Sequence, residues 1–308
     1  MDKVTFAVTT WNESCRGNFE WVRECVASAM AAEIVSEVVV VNDATEDFSG
    51  LAWALGSFSA KPLYLWQNPK TLAVFGNKVT SVFRATAPWV VMADSDNVYP
   101  PSYFDALAAQ WPWDPNVMYS PSVGIPCLDY RHMLGDWTLA TAETILQQKQ
   151  GWCLVNTGNA FVHRKMFLDV VRVLPVERFD LALPDYLGIG DRSDVKWRHG
   201  YDSQDSFVIS SLWLKSGKTL RVTPGMEYRH RVDKGSPGNY DRGPAEKEVI
   251  APAMLLELAD AARGEKHDYR FLRRRAGRYM EFMREDGTIL TVDWGTGTIS
   301  RADQPSKM

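Results

Sequence analysis

The stretch Trp89-Val90-Val91-Met92-Ala93-Asp94-Ser95-Asp96-Asn97 runs an apolar segment directly into two carboxylates one residue apart. Its first half has the pattern of a buried strand. Its second half, taken alone, reads as a polar turn, because Asp, Ser and Asn are ordinary turn residues. Two like charges this close repel, and in a cleft they also lose hydration. Both stay ionised only if something positive sits beside them, and a divalent cation serves that purpose.

Upstream, a β-rich run over Val4–Thr10 is followed by polar Trp11-Asn12-Glu13, after which Phe19, Val22, Val26 and Met30 fall at helical spacing. Val38-Val39-Val40-Val41 is a continuous β-branched run, the signature of a strand covered on both faces, and it ends in Asn42-Asp43. Leu63-Tyr64-Leu65-Trp66 gives a weaker third strand, and Val79, Val82 and Phe83 mark a helix before the opening stretch. Strands alternating with helices predict a mainly parallel, Rossmann-like α/β sheet with right-handed crossovers. Ligands of such sheets bind beyond the carboxyl ends of the strands. Asn12, Asp43 and Asp94 each follow a strand, so one sheet edge collects them.

Downstream, residues 102–111 predict a helix with Ser102 and Asp105 in capping-box positions. Residues 151–162 hold strand-like pieces around Asn156-Thr157-Gly158-Asn159, and residues 205–216 predict a helix stopped by Gly217. Leu220-Arg221-Val222 returns as a strand leading to His230, and residues 233–240 have the composition of a mobile loop. Residues 241–308 predict a C-terminal helical extension, broken at Pro252, with a basic helix around Arg273-Arg274-Arg275 and a terminal hairpin over 288–299.

The chain of 308 residues, 45% hydrophobic and 23% charged, suits one large core or one domain with an appendage. A net charge of −4 gives no general attraction to nucleic acid. Cys15, Cys25, Cys127 and Cys153 form no CxxC pair, which argues against a zinc site or a disulfide framework and for a reducing cytoplasm. Met1-Asp2-Lys3 leads straight into a strand without a signal segment, and no stretch approaches the roughly 18 apolar residues that span a bilayer. The expectation is a cytoplasmic protein without a transmembrane segment; its oligomeric state is left open. The arginines at 273–275 read first as a solvated face, with peripheral contact to an anionic lipid head group or a polyanionic acceptor as the alternative. Trp111, Trp113, Trp137 and Trp152 read first as packing, since a chain with 12 Trp must bury most of them, with stacking on an acceptor sugar as the alternative.

Taken in chain order, residues 4–230 resemble the nucleotide-sugar-dependent glycosyltransferases of the GT-A fold, most nearly the inverting family-2 type. The resemblance implies a GT-A domain over 1–240. It places Thr10, Trp11 and Asn12 in the first nucleotide loop, with Thr9 where the family has Pro. Val38 to Thr45 is similar to the family's hydrophobic strand followed by Asp-Asp-Gly-Ser, which puts Asp43 where a carboxylate accepts the uracil N3 hydrogen. Asn42 and Ala44 depart from that pattern.

Asn68 and Gly76-Asn77-Lys78 match the donor's phosphate side, with Lys78 a diphosphate contact or else a solvated lysine. Asp94-Ser95-Asp96 matches the DxD motif: Asp94 toward ribose and the metal, Ser95 on the donor, Asp96 on the metal. Asn159 falls in the segment that approaches the donor sugar. His230 matches the histidine that completes the metal site. The cation is Mn²⁺ or Mg²⁺, and the imidazole leans toward Mn²⁺. Asp202-Ser203-Gln204-Asp205 is similar to the family's Glu-Asp pair, which makes Asp205 or Asp202 the base that takes a proton from a glycan or other hydroxyl acceptor. The donor is a UDP-sugar, and loss of the Gln-x-x-Arg-Trp signature implies single addition. Two rivals remain: a sugar-phosphate nucleotidyltransferase, which needs a Gly-rich basic loop after the first strand, and a non-catalytic nucleotide-sugar-binding module.

Overall fold

Continuous β-branched and small apolar residues build strands with no wet face. In the computed structural model, which describes residues 2–11, 19–126, 128–142, 144, 159–172, 205–231, 250–275, 279–293 and 298–301, β1 (Val4–Thr10), β2 (Val35–Asn42), β3 (Leu63–Gln67) and β4 (Trp89–Asp94) are parallel neighbours in the order β3-β2-β1-β4. Every residue of β1 is buried, as is the valine run of β2. Each such valine contributes about 1.5–3 kcal/mol relative to exposure. The connections are helices: α1 (Phe19–Ala31), α2 (Phe48–Leu55) and α3 (Ala73–Arg84).

Glu37 is a charge inside β2. Its carboxylate accepts hydrogen bonds from Thr5 Oγ1, the Thr86 N–H at 2.7 Å and Thr86 Oγ1 at 2.6 Å. Burial opposes its ionisation, but these bonds outweigh burial and hold the carboxyl below its ordinary range.

Beyond β4 the sheet becomes mixed. β5 (Asn97–Val98), α4 (Pro101–Ala108), β6 (Val117–Ile125), β7 (Leu128–Asp129), β8 (Gly135–Trp137), β9 (Phe161–His163), α5 (Arg164–Arg172), α6 (Asp205–Lys215) and β10 (Thr219–His230) follow in chain order. Across the sheet the order continues β4-β9-β6-β10-β5, with β7 on β6 and β8 on β10. Helix α4 begins one position earlier than the sequence predicts: Pro100 is the N-cap, Pro101 occupies the first turn, and no side chain caps the helix. Proline at N1 gives up an N–H that has no partner in the helix anyway, so the expected Ser102–Asp105 box is not used. Gly217 ends α6 with φ +76°, as expected of a left-handed stop.

After α7 (Ile250–Ala262) the sequence reading needs correction. Where a basic helix is expected, the chain forms β11 (Tyr269–Arg275), the edge of a four-stranded antiparallel sheet with β12 (Tyr279–Arg284), β13 (Ile289–Asp293) and β14 (Thr298–Arg301). The expected terminal hairpin is its last pair, β13 with β14. Arginine is a good helix former and masks the period-two pattern of Met280, Phe282 and Val292, which are buried in the same apolar cluster as Val79, Trp213 and Leu256. Trp113 is buried as assigned, whereas Trp111 is 45% exposed, edge-on to Trp113 at 5.8 Å. No helix among the described residues is long and apolar enough to cross a membrane.

Candidate active site

Register aligns the strand tips. Thr10 of β1 lies opposite Asn42 of β2, and Thr9 lies opposite Asp94 of β4. Asp43 follows directly, its N–H bonded to Thr10 O at 3.1 Å.

The first cluster surrounds Asp43, which is buried. Its Oδ1 accepts from Asn68 Nδ2 at 3.0 Å and from the Leu72 N–H, just ahead of α3, at 2.7 Å. Asn68 Nδ2 also reaches Asn77 Oδ1 at 3.1 Å, and Asn77 Nδ2 donates to the carbonyls of Thr10 and Val41 at 3.2 and 3.3 Å. Asn77 thus ties α3 to two strand ends. Asn42, the family's missing Asp, organises the following loop: its Oδ1 accepts from the Thr45 N–H at 3.0 Å and its Nδ2 donates to Thr45 Oγ1 at 2.8 Å. Ala44 within that loop has φ +59°, the conformation that glycine adopts without strain, so the backbone keeps the glycine geometry of the motif without the glycine.

The second cluster contains the two carboxylates. Lys78, only 1% exposed, is not a solvated lysine: its Nζ lies 2.9 Å from Asp94 Oδ1, to which Thr9 Oγ1 also donates at 3.4 Å. Ser95 and Asp96 are buried, and the Ser95 N–H bonds Thr9 O at 3.2 Å. Thr10 is buried and Trp11 half-buried beside this edge.

The third cluster is set by the antiparallel pairing of β10 with β5, which puts His230 opposite Asn97, one residue past Asp96. His230 Nδ1 lies 3.0 Å from Asn97 Oδ1. Burial pushes the imidazole below its ordinary 6.5, Asp94 acting upward and Lys78 downward. Arg231 then anchors the strand end to α1 by bonding Glu24 and lying over the Trp21 ring at 5.3 Å. Asn159 does not stand free toward a ligand: its Oδ1 accepts from the Asp94 N–H, Asn97 Nδ2 and Tyr99 OH.

Asp205 opens α6 as expected. Asn12, Trp152, Asn156, Thr157, Gly158, Asp202, Gln204 and the 233–240 loop lie outside the described residues, as do Cys15, Cys127 and Cys153. Cys25 is buried and in no disulfide, its Sγ 3.5 Å from the Asp94 carbonyl. Asp94, Asp96 and His230 do not all bring ligand atoms within 4.8 Å of one another; among the described residues only Asp260, Glu265 and His267 do. That second group is an ion-pair network. Asp260 accepts from Arg263 Nη2 at 2.7 Å and Tyr269 OH at 2.5 Å, and His267 meets Glu285 and Arg284. Two guanidiniums already supply its positive charge.

Sequence reasoning missed Asn97 and Tyr99, which carry no motif. The pairing of β5 with β10 reveals Asn97, and the hydrogen bond to Asn159 reveals Tyr99.

A mainly parallel sheet whose carboxyl edge gathers Asp43, Asp94, Asp96 and His230, with Lys78 reaching in from α3, is that of a GT-A glycosyltransferase. Residues 5–171 match the family model described as Glycosyl transferase family 2, and the chain belongs to that family. No curated protein matches the chain in sequence. In fold it is similar to residues 1–349 of S. aureus TarS in complex with UDP-GlcNAc, at 12% identity and a TM-score of 0.56 over 85% of this chain and 71% of that one. It is also similar to GalNAc-T7 with UDP, GalNAc and Mn²⁺, at 13% identity and a TM-score of 0.55 over 85% of this chain and 50% of that one. The chain therefore spans half the length of GalNAc-T7.

Proposed function

We propose that this glycosyltransferase moves a sugar from a UDP-sugar to a hydroxyl acceptor with inversion, in the cytoplasm and with a divalent cation. One observation carries the reading. A continuous line of contacts runs from Asp43 through Asn68 and Asn77 to the Thr10 carbonyl, and from Lys78, next to Asn77, through Asp94 and Asn159 to Asn97 and His230. The residues assigned here to base, diphosphate and cation thus lie along one sheet edge, which supports the reading.

The carboxylate pair of the opening stretch is then offset by two different positive groups. Lys78 balances Asp94. Asp96 and the ring of His230 would supply a carboxylate oxygen and an imidazole nitrogen, donors that suit Mn²⁺. A cation held there would supply charge compensation for the departing diphosphate. Asp43 accepts from the base, Asp94 faces the ribose, and Asp205, at a helix N-terminus that favours its ionised form, takes the acceptor proton, with Asp202 as the alternative.

A panel of UDP- and GDP-sugars, each with and without Mn²⁺, tests the donor. A ligand bound only by the folded chain raises its melting temperature. UDP-sugars should do so in a metal-dependent way; stabilisation by GDP-sugars alone contradicts the uracil assignment.

A further inference from the structure

Three buried polar side chains behind the carboxylates, Asn159, Asn97 and Tyr99, lead to the half-buried His230 in a chain whose direction is fixed at one end. The backbone N–H of Asp94 can only donate, and its acceptor is the Asn159 side chain at 3.2 Å. The atom there must be the amide oxygen. The same oxygen lies 2.9 Å from the Asn97 amide group, which must therefore present its NH₂, and 2.6 Å from the Tyr99 hydroxyl. With its NH₂ turned inward, Asn97 turns its own oxygen toward His230 Nδ1 at 3.0 Å. An amide oxygen only accepts, so Nδ1 carries the ring proton and Nε2 keeps the lone pair.

We infer that Asn159, acting through Asn97, is a positioning residue that sets the tautomer of His230 and so makes Nε2 the nitrogen open to a ligand. Each alternative orientation breaks a contact: flipping Asn159 sets an NH₂ against the Asp94 N–H, and flipping Asn97 alone sets oxygen against oxygen. Asn97, Tyr99 and Asn159 are all buried, where such a mismatch is not relieved by water. The register of β5 against β10 supplies the last step, because it holds Asn97 and His230 side by side. The purpose given to Nε2 rests on the proposed metal reading; the tautomer does not.

The test is the protonation pattern of His230 in the metal-free full chain, read by two-bond proton–nitrogen NMR after ¹⁵N-histidine labelling at about pH 8, where histidine is neutral. The chain has five histidines, and His230→Gln identifies the signal. The expected result is a protonated Nδ1 and a bare Nε2. Asn159→Leu frees the Asn97 amide to turn, so the signal should shift toward protonated Nε2, whereas Asn159→Asp keeps an acceptor for all three donors and should preserve the parental pattern. Mn²⁺ affinity should fall about 10–100-fold in Asn159→Leu and be rescued in Asn159→Asp.

Protonated Nε2 in the parent overturns the inference, as does an unchanged tautomer in folded Asn159→Leu. Should that variant not fold, Asn97→Ala decides: it leaves Asn159 bonded to Asp94 and Tyr99 but removes the acceptor at Nδ1, and retention of the Nδ1 proton there overturns the relay. A parent with the expected tautomer but no Mn²⁺ affinity contradicts the metal reading and leaves the relay standing.

Discussion

Lys78 Nζ lies 2.9 Å from Asp94 Oδ1, yet the two partners are unequally buried, their side chains being 2% and 31% exposed. The asymmetry makes a prediction. Asp94→Asn removes an ion-pair partner of a buried ammonium and should cost about 3–5 kcal/mol. Lys78→Met leaves a carboxylate that water can reach, so its cost should be smaller, under about 2 kcal/mol. Denaturant melts of the two variants measure the difference, and equal losses contradict the account. UDP affinity should fall in Lys78→Met as well, since the variant adds an unbalanced negative charge beside the diphosphate position.

Ala44 holds φ +59° between Asp43 and Thr45. A Cβ in the left-handed region costs roughly 1–2 kcal/mol, part of which glycine returns as unfolded-state entropy. Ala44→Gly should therefore raise stability by up to about 1 kcal/mol in denaturant melts without weakening UDP binding. A clear loss of stability means that the loop is not held in this conformation.

Asp205 as base predicts a split between binding and turnover. Asp205→Asn keeps side-chain size and capping ability but cannot accept a proton, so it should bind UDP and Mn²⁺ like the parent and lose transfer by at least roughly a hundredfold. Near-parental turnover in that variant, with loss in Asp202→Asn, moves the role to Asp202.

Much of this architecture is legible in the chain. Val38 to Val41 and Trp89 to Asp94 announce buried parallel strands because nothing else tolerates apolar residues on both faces, and the polar residues that end them mark the ligand edge. What is not legible is long-range. Asn97 and His230 are 133 residues apart, and only sheet register brings them together. The pairing of Lys78 with Asp94 likewise depends on how α3 lies under β4, which no local pattern encodes. The arginines of β11 misled for another reason: helix propensity is a weak prior, and the packing of Met280 and Phe282 overrides it. Ala44 hides its backbone geometry completely, since glycine is the usual signal of a positive φ.

The central claim is that Asp96, with His230, holds the cation that lets the diphosphate bind beside two carboxylates. Calorimetric titration of UDP into the parent and into Asp96→Ala, each with Mn²⁺ and with chelator, tests it most directly. The account predicts that chelation weakens UDP binding to the parent at least about tenfold, equal to 1.4 kcal/mol. It also predicts that Asp96→Ala abolishes that metal dependence while its melting temperature stays near the parental value. Mn²⁺-dependent UDP binding of parental strength in Asp96→Ala would contradict it.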